Sequence, residues 1–149
     1  MMKQISVFLE NHNGSLVELT SIFAEAGIDI LALTIADTEN FGIVRCIIAE
    51  EKLPEATALL TENGYTSRIN HVICISVPDH AGGLHDVLTL LQGAEIGIEY
   101  MYSFVRPTAQ KALLILRLSD NRRAEELFAQ NGVEMLTLPE IKHLSDPRG

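Results

Sequence analysis

Two short polar segments contain the residues most suited to chemistry, ENHNGSL at residues 10–16 and PDHAGGL at residues 78–84. Each follows an apolar run and precedes a predicted helix. Gly14 and Gly82 allow backbone conformations that other residues avoid. The first turn of the following helix offers unpaired backbone N–H groups and the positive end of the helix dipole. This arrangement favours the binding of an anion such as a carboxylate.

Acidic and amide side chains near these segments could hold the other end of a zwitterion. Asn11 and Asp79 lie in the segments themselves, and Asp29 and Glu99 lie at the start of the next predicted strands. Together with the helix ends, they could bind an amino acid by its carboxylate and its ammonium group. An alternative remains open, in which the glycines only permit tight turns and Ser15 only caps a helix.

The two segments belong to an internal repeat. Gly14 and Gly82 are 68 residues apart. The same spacing relates His12 to His80 and TENGY at 61–65 to AQNGV at 129–133. AGIDI at 26–30 matches IGIEY at 96–100 after a two-residue insertion. A repeat of this kind predicts two small structural units, which we place at residues 1–70 and 71–138, with a short strand or arm and a tail at 139–149.

Hydrophobic periodicity predicts the same order of elements in each unit. In the first unit, Ser15 and Glu18 match a capping box at the start of the first helix. The predicted elements are a strand at 5–9, a helix from 15 to 27, strands at 28–36 and 41–49, a helix at 53–64 and a strand at 65–69. In the second unit they are a strand at 72–77, a helix at 83–93, strands at 98–105 and 111–118, a helix at 120–131 capped by Asp120, and a strand at 133–138. This order predicts an α+β fold of two ferredoxin-like βαββαβ repeats, with antiparallel sheets and helices on one face.

Both faces of the predicted sheets are apolar. In ALLILRL at residues 112–118, Leu113 and Ile115 point to one face and the other three leucines, 114, 116 and 118, to the opposite face. In the first unit Ile43 and Ile47 lie on one face, and the alternate positions 44, 46 and 48 are also apolar. Because helices would cover only one face, we expect the second face to pack against a partner. The pattern therefore predicts a homodimer.

Composition excludes several classes of protein. A formal net charge of −9 argues against a nucleic-acid surface or an anionic membrane. No stretch approaches the roughly 20 apolar residues of a membrane span, and the N-terminus does not resemble a signal peptide. The two cysteines, Cys46 and Cys74, lie in apolar runs and are expected to be buried thiols of a cytoplasmic protein. His80 and His85 are poorly spaced for a metal site, so no metal or cofactor is expected.

The repeated motifs resemble the ACT domain, present here in tandem over about residues 3–138. That family has an apolar first strand, a short polar loop often ending in Pro-Gly, an x-Leu helix start and a G-I-[ND]-I motif at the second strand. This chain has ENHNGSL with AGIDI and PDHAGGL with IGIEY. Asn13 and Ala81 replace the usual proline, and Tyr100 replaces an aliphatic residue.

The resemblance implies a regulatory amino-acid-binding module in which the first loop of one copy faces the second strand of another. The implied ligand-binding residues are Asn11, His12, Asn13, Gly14, Ser15 and Leu16 facing Glu99, Tyr100 and Met101, and Asp79, His80, Ala81, Gly82, Gly83 and Leu84 facing Asp29, Ile30 and Leu31. The chain has no room for an attached enzyme, so it would be a free-standing sensor or a regulatory subunit of an enzyme.

The identity of the ligand and two broader alternatives remain open. Nearby acids, and the aromatic residues Tyr100, Tyr102 and Phe104, make histidine or an aromatic amino acid a candidate. The same surfaces could instead serve a protein–protein adaptor with a degenerate ligand site. A catalytic role is not expected, because neither loop contains Arg or Lys and no serine lies in a nucleophile-elbow motif.

Overall fold

The computed structural model describes residues 1–10, 14–37, 41–104 and 111–145. The strands are β1 (Met2–Glu10), β2 (Ala32–Asp37), β3 (Phe41–Ile47), β4 (Thr66–Pro78), β5 (Ile98–Ser103), β6 (Lys111–Leu118) and β7 (Glu134–Leu136). The helices are α1 (Ser15–Glu25), a 3₁₀ turn (Glu50–Lys52), α2 (Leu53–Glu62), α3 (Gly83–Gly93), α4 (Asn121–Gln130) and α5 (Leu138–Ser145). The chain divides into two compact units, Lys3–Asn70 and Met1–Met2 with His71–Gly149.

The first unit contains an antiparallel sheet in the order β2-β3-β1, with the start of β4 next to β1. Val44 of β3 pairs with Val7 on one side and with Ile35 on the other. Ser6 of β1 donates its hydroxyl hydrogen to Oδ1 of Asn70 at 2.7 Å. This order is that of a ferredoxin-like βαββαβ unit.

The second unit repeats this arrangement with the order β7-β4-β6-β5. Ile75 of β4 pairs with Leu114 of β6 and with Met135 of β7, and both pairings are antiparallel. One strand, β4, therefore ends the first unit and begins the second without a linker. The predicted fold class is confirmed.

In each unit two helices pack on one face of the sheet and form the core. Phe23 of α1 and Leu60 of α2 are fully buried in the first unit, and Leu91 of α3 and Phe128 of α4 are buried in the second. Under the 68-residue spacing, Phe23 is equivalent to Leu91 and Leu60 is equivalent to Phe128. The phenylalanine therefore lies on the first helix in one unit and on the second helix in the other. Such an exchange keeps the total core volume, which is the change that cores tolerate best.

Three local predictions at element ends are wrong. Ser15 does not cap α1, because Gly14 occupies the N-cap position and the Ser15 hydroxyl donates to the Glu10 carbonyl oxygen at 2.8 Å. The second strand begins at Ala32 rather than at residue 28, because the N–H of Ile28 still bonds the Phe23 carbonyl at the end of α1.

The third correction concerns the C-terminal segment, which is the helix α5 rather than a strand or arm. Thr137 donates its hydroxyl hydrogen to the Glu140 carboxylate at 2.9 Å, and the N–H of Ile141 bonds the Thr137 carbonyl at 3.1 Å. Pro139 suits a first helical turn but cannot donate to a strand ladder. By contrast, the predicted cap of α4 is confirmed, since Asp120 accepts from the N–H of Arg123 at 3.0 Å.

Of the four residues that predict an uncovered apolar face, three are buried and the fourth, Ile43, is half-buried. Ile47 and Ile115 are 0% exposed and Leu113 is 5% exposed in the single chain. The homodimer stays a prediction.

Candidate functional site

The two β1–α1-type turns share a left-handed glycine immediately before a helix. Gly14 has φ 88° and precedes α1, while Gly82 has φ 91° and precedes α3. No atom lies within 4 Å of a Cβ built at either position. The need for glycine therefore comes from the backbone conformation and not from crowding.

The turn of the second unit is closed by backbone contacts. The N–H of His80 donates to the Pro78 carbonyl at 3.0 Å, and the N–H of Gly83 donates to the His80 carbonyl at 3.1 Å. A Cβ at Gly83 would collide with the Pro78 carbonyl oxygen. Gly83 is buried, whereas Asp79, His80, Ala81, Gly82 and Leu84 are exposed. The exposed residues are therefore accessible to a ligand.

The turn of the first unit is closed by a side chain. Ser15 stands at the position of Gly83, and its hydroxyl bond to Glu10 spans the turn. Gly14 is exposed and Leu16 is half-buried. The predicted site residues Asn11, His12 and Asn13 lie outside the described residues.

Among the described residues, no side chain caps the N-terminus of α1 or α3, where the N-cap residues are glycines, unlike α4. The N–H of Glu18 bonds the Gly14 carbonyl and the N–H of Asp86 bonds the Gly82 carbonyl, both at 3.0 Å. The preceding N–H groups of each helix are the donors that a helix cannot satisfy internally. Both turns can therefore present backbone donors to an anionic group.

A recess lies next to each turn, within its own unit. The first has a volume of about 230 Å³ and the second about 210 Å³. The first is lined by Phe8, Leu9, Glu10, Ser15, Glu18, Asn63, Gly64 and Tyr65. The second is lined by Ser76, Val77, Pro78, His80, Gly83, Asp86, Val87, Leu90, Asn131, Gly132 and Val133. Every residue of the first recess has its partner 68 positions later in the second.

The two recesses differ in chemistry. Glu10, Glu18 and Tyr65 make the first recess polar, and at their equivalent positions the second has Pro78, Asp86 and Val133. Partial burial raises the pKa of Tyr65 above its usual 10, and the negative charge of Glu18 raises it further. The phenol of Tyr65 therefore interacts electrostatically with the Glu18 carboxylate at the start of α1.

The predicted residues at the second strands lie far from the turn of their own unit. In the second unit Ile98 pairs with Leu118 at one end of β6, whereas Pro78 pairs with Lys111 at the other end. Glu99 and Met101 are exposed on β5, next to half-buried Tyr100. One repeat alone therefore does not bring these residues to its own turn.

The same separation holds in the first unit, where Ala32 pairs with Ile47 and Glu10 pairs with Phe41 at opposite ends of β3. Asp29 is exposed, while Ile30 and Leu31 are half-buried. Ile30 also packs against the hydrophobic core.

Some of these side chains already have partners. Arg117 donates through Nε to the Glu99 carboxylate at 3.2 Å, and through a terminal nitrogen to the His71 carbonyl at 2.8 Å. The rings of Tyr100 and Tyr102 stack with their centroids 6.5 Å apart, and Tyr102 is buried. Tyr102 therefore does not present a free ring to a ligand.

Sequence reasoning missed the recess residues on the α2–β4 and α4–β7 connections. These are Asn63, Gly64 and Tyr65 in the first unit and Asn131, Gly132 and Val133 in the second. The matching TENGY and AQNGV segments were a visible signal, but in sequence they indicate only the end of a helix. Their position beside the first turn depends on the fold.

Comparison with known proteins identifies the family. The sequence model of the ACT domain pair matches residues 1–145. The chain belongs to the ACT domain pair family. The recognition made from the two motif sets is therefore confirmed.

Two solved structures illustrate what the chain is similar to. The Bacteroides thetaiotaomicron protein BT0572 is 36% identical with a TM-score of 0.82, and the match covers 91% of each chain. The ligand-free regulatory subunit of aspartate kinase from Thermus thermophilus is 13% identical with a TM-score of 0.64, over 86% of this chain and 91% of that one. No curated protein sequence matches this ACT pair.

In the described residues, no three His, Cys, Asp or Glu side chains converge in a way that could hold a metal ion. Within the same residues, no helix has the length and apolar character needed to span a membrane.

Proposed function

We propose that this ACT pair is a regulatory protein that binds a free amino acid at its β1–α1-type turns and has no catalytic role. The observation that carries the proposal is the twofold recurrence of one arrangement, a left-handed glycine followed by a helix without a side-chain cap. Backbone N–H groups at such a helix start suit a carboxylate. Asp79 next to the second turn is exposed and could pair with an ammonium group.

A complete site would combine a turn with the start of a second strand from another repeat. The resemblance implies this pairing, and the geometry supports the need for it, because each turn and its own second strand start at opposite ends of a sheet. We therefore propose a homodimer, or an equivalent pairing of repeats. The Thermus thermophilus neighbour is named as a regulatory subunit, and by analogy we propose that this chain regulates an enzyme.

The proposed location is the cytoplasm. Cys46 and Cys74 are free and buried, and burial raises the pKa of both thiols to about 12. Thiols this weakly acidic are almost never thiolates at neutral pH and do not form disulfides readily. They fit small core side chains in a reducing compartment.

A thermal-shift screen of the purified protein against the twenty amino acids tests the proposal. A ligand at about 100 times its Kd adds roughly 2.7 kcal/mol of stability, which corresponds to a shift of about 5 to 10 °C. The screen includes histidine and the aromatic amino acids, which the aromatic residues of β5 suggested. A selective shift supports the proposal, and no shift at millimolar concentrations contradicts it.

Matched variants locate the site. We expect Gly82→Val to weaken binding, whereas Gly27→Val, which strains another left-handed glycine with open surroundings, should reduce stability but not affinity. Likewise Asp79→Ala should weaken binding, and Glu126→Ala on the exposed face of α4 should not. Unchanged binding in both Gly82→Val and Asp79→Ala would show that the turn assignment is wrong.

A second candidate function is that of a protein–protein adaptor. Ile35 on β2 and Ile98 and Met101 on β5 are exposed apolar side chains on strands at the sheet edges. Edge strands of this kind can accept a further strand from another protein. A protein that binds no metabolite but forms a stoichiometric complex with a partner would favour this function.

A further inference from the structure

The recess of the second unit has an apolar base. Val77 and Val87 are almost fully buried, and Leu90 and Val133 are half-buried beside them. Val77 and Val87 belong to the hydrophobic core and Val133 packs against it, so most of the base is held by packing. An aliphatic group placed against these side chains would be removed from water, which is favourable.

The rim of the same recess is polar. The Asp86 carboxylate, in the first turn of α3, makes no hydrogen bond or ion pair within the described part of the chain. Nδ1 of His80 lies 2.9 Å from the Ala81 carbonyl oxygen, so it carries the hydrogen and Nε2 is the ring nitrogen left for a ligand. The rim can therefore offer one negative group and one polar ring atom above an apolar base.

The first unit has a recess of similar volume without this combination. At the position of Val133 it has Tyr65, whose pKa is raised by burial and by Glu18, and at the position of Pro78 it has Glu10. An aliphatic side chain in the first recess would contact a phenol and face two carboxylates. The two recesses therefore have similar volumes but differ in the polarity of the side chains that line them.

We propose that the recess of the second unit binds the side chain of a small aliphatic amino acid, of the size of valine, leucine or isoleucine. The side chain would lie on Val87, Leu90 and Val133. The ammonium group has three donors and would pair with Asp86 in addition to the turn residue Asp79. The volume of about 210 Å³ suits a small metabolite better than a nucleotide or a peptide. This inference rests on the proposed function, because it names the ligand class of the second turn.

Calorimetric titration of L-leucine, L-isoleucine and L-valine into the full chain tests the inference. Val133→Tyr gives the second recess the residue that the first unit already accommodates, so the variant should fold, and we expect it to weaken binding at least tenfold. Asp86→Asn should weaken binding about tenfold through loss of a charge-assisted contact. The control variants Gln92→Ala and Glu126→Gln change exposed helix positions that line neither recess, and they should leave the affinity unchanged.

Ligand analogues test the ammonium contact separately. 4-Methylpentanoate has the side chain and carboxylate of leucine without its ammonium group. It should bind wild type at least tenfold more weakly than leucine, and Asp86→Asn should remove most of that difference.

The outcomes separate the inference from the proposed function. If histidine or another non-aliphatic amino acid binds and the aliphatic ones do not, the inference is overturned and the proposed function stands. Binding of leucine that is equal in wild type, Val133→Tyr and Asp86→Asn likewise overturns only the inference. If no amino acid binds wild type, both are overturned.

Discussion

The two units place the same turn beside the same recess but close the turn in different ways. The first unit uses the Ser15 hydroxyl to bond the Glu10 carbonyl, and the second removes the side chain so that Gly83 lies directly against Pro78. Behind the turn, Tyr65 in one unit is replaced by Val133 in the other. The comparison shows that the repeat preserves backbone geometry, while the residues that a ligand would contact have diverged.

The largest effect should come from exchanging the two turn residues. Gly83→Ser places a Cβ against the Pro78 carbonyl, which can be relieved only by a backbone shift, and we expect a loss of about 2–3 kcal/mol in the free energy of unfolding. Ser15→Gly removes one hydrogen bond and should cost only about 1 kcal/mol. Urea denaturation of the two variants measures both values.

The opposite order of the two losses in unfolding free energy would contradict the difference between the turns. A smaller loss for Gly83→Ser than for Ser15→Gly would mean that the turn of the second unit relaxes easily and that the two turns are interchangeable.

At the helix ends that border the recesses, we expect equivalent substitutions in the two units to cause equal and moderate losses in the free energy of unfolding. Asn63 donates through its side-chain amide to the Leu59 carbonyl, and Asn131 donates in the same way to the Leu127 carbonyl, both at 2.8 Å. Asn63→Ala and Asn131→Ala should each cost about 0.5–1 kcal/mol, because exposed hydrogen bonds contribute at the low end of their range. The measurement is again urea denaturation.

Gln92→Ala on the exposed surface of α3 is the control, and its effect should lie within about 0.5 kcal/mol of zero. Clearly unequal costs for the two asparagines would show that the backbone geometry of the units has diverged as well.

The smallest expected effect is a change in the pKa of Tyr65, which only the first unit can show because Val133 stands at the equivalent position of the second. Glu18→Gln should lower the pKa of Tyr65, because it removes the negative charge that helps to raise it. Absorbance at about 295 nm reports ionisation of the three tyrosines, and Tyr65→Phe identifies the transition that belongs to this residue.

The sign of the linked stability follows from the direction of the shift. The pKa of Tyr65 in the folded protein lies above its unfolded value of about 10, so its contribution to stability is fully present below that pH. It is lost as the pH rises through the raised pKa, and the loss should be smaller in Glu18→Gln. A Tyr65 pKa that is unaffected by Glu18→Gln would contradict the contact across the first recess.

Sequence patterns were sufficient for the order of elements and for the family. The helix at 83–93 and the strand at 111–118 agree with the observed α3 and β6, because hydrophobic periodicity reports which face of an element is buried. Asp120 was identified as a cap because capping is a local interaction over three residues. The end of the chain is a helix although it aligns with the first strands of the two repeats, and TLPE at 137–140 matches a capping box.

Contacts that depend on how the chain folds back on itself cannot be predicted from these local patterns. Ser15 was assigned as a cap, but its partner is a carbonyl five residues earlier, and that choice depends on how the turn folds back. Burial of Ile47, Leu113 and Ile115 within the single chain could not be deduced from alternation, which shows that a face is apolar but not what covers it.

The two βαββαβ repeats, each with a glycine turn before a helix, can be predicted from sequence. Residue propensity and periodicity are local signals, and the internal repeat is visible when the chain is compared with itself. Only the tertiary structure placed Tyr65 and Val133 beside those turns. Residues some 50 positions apart meet there because α2 and α4 return the chain to the end of the sheet where the turns lie. The chemistry of the two recesses therefore belongs to the fold as much as to the residues.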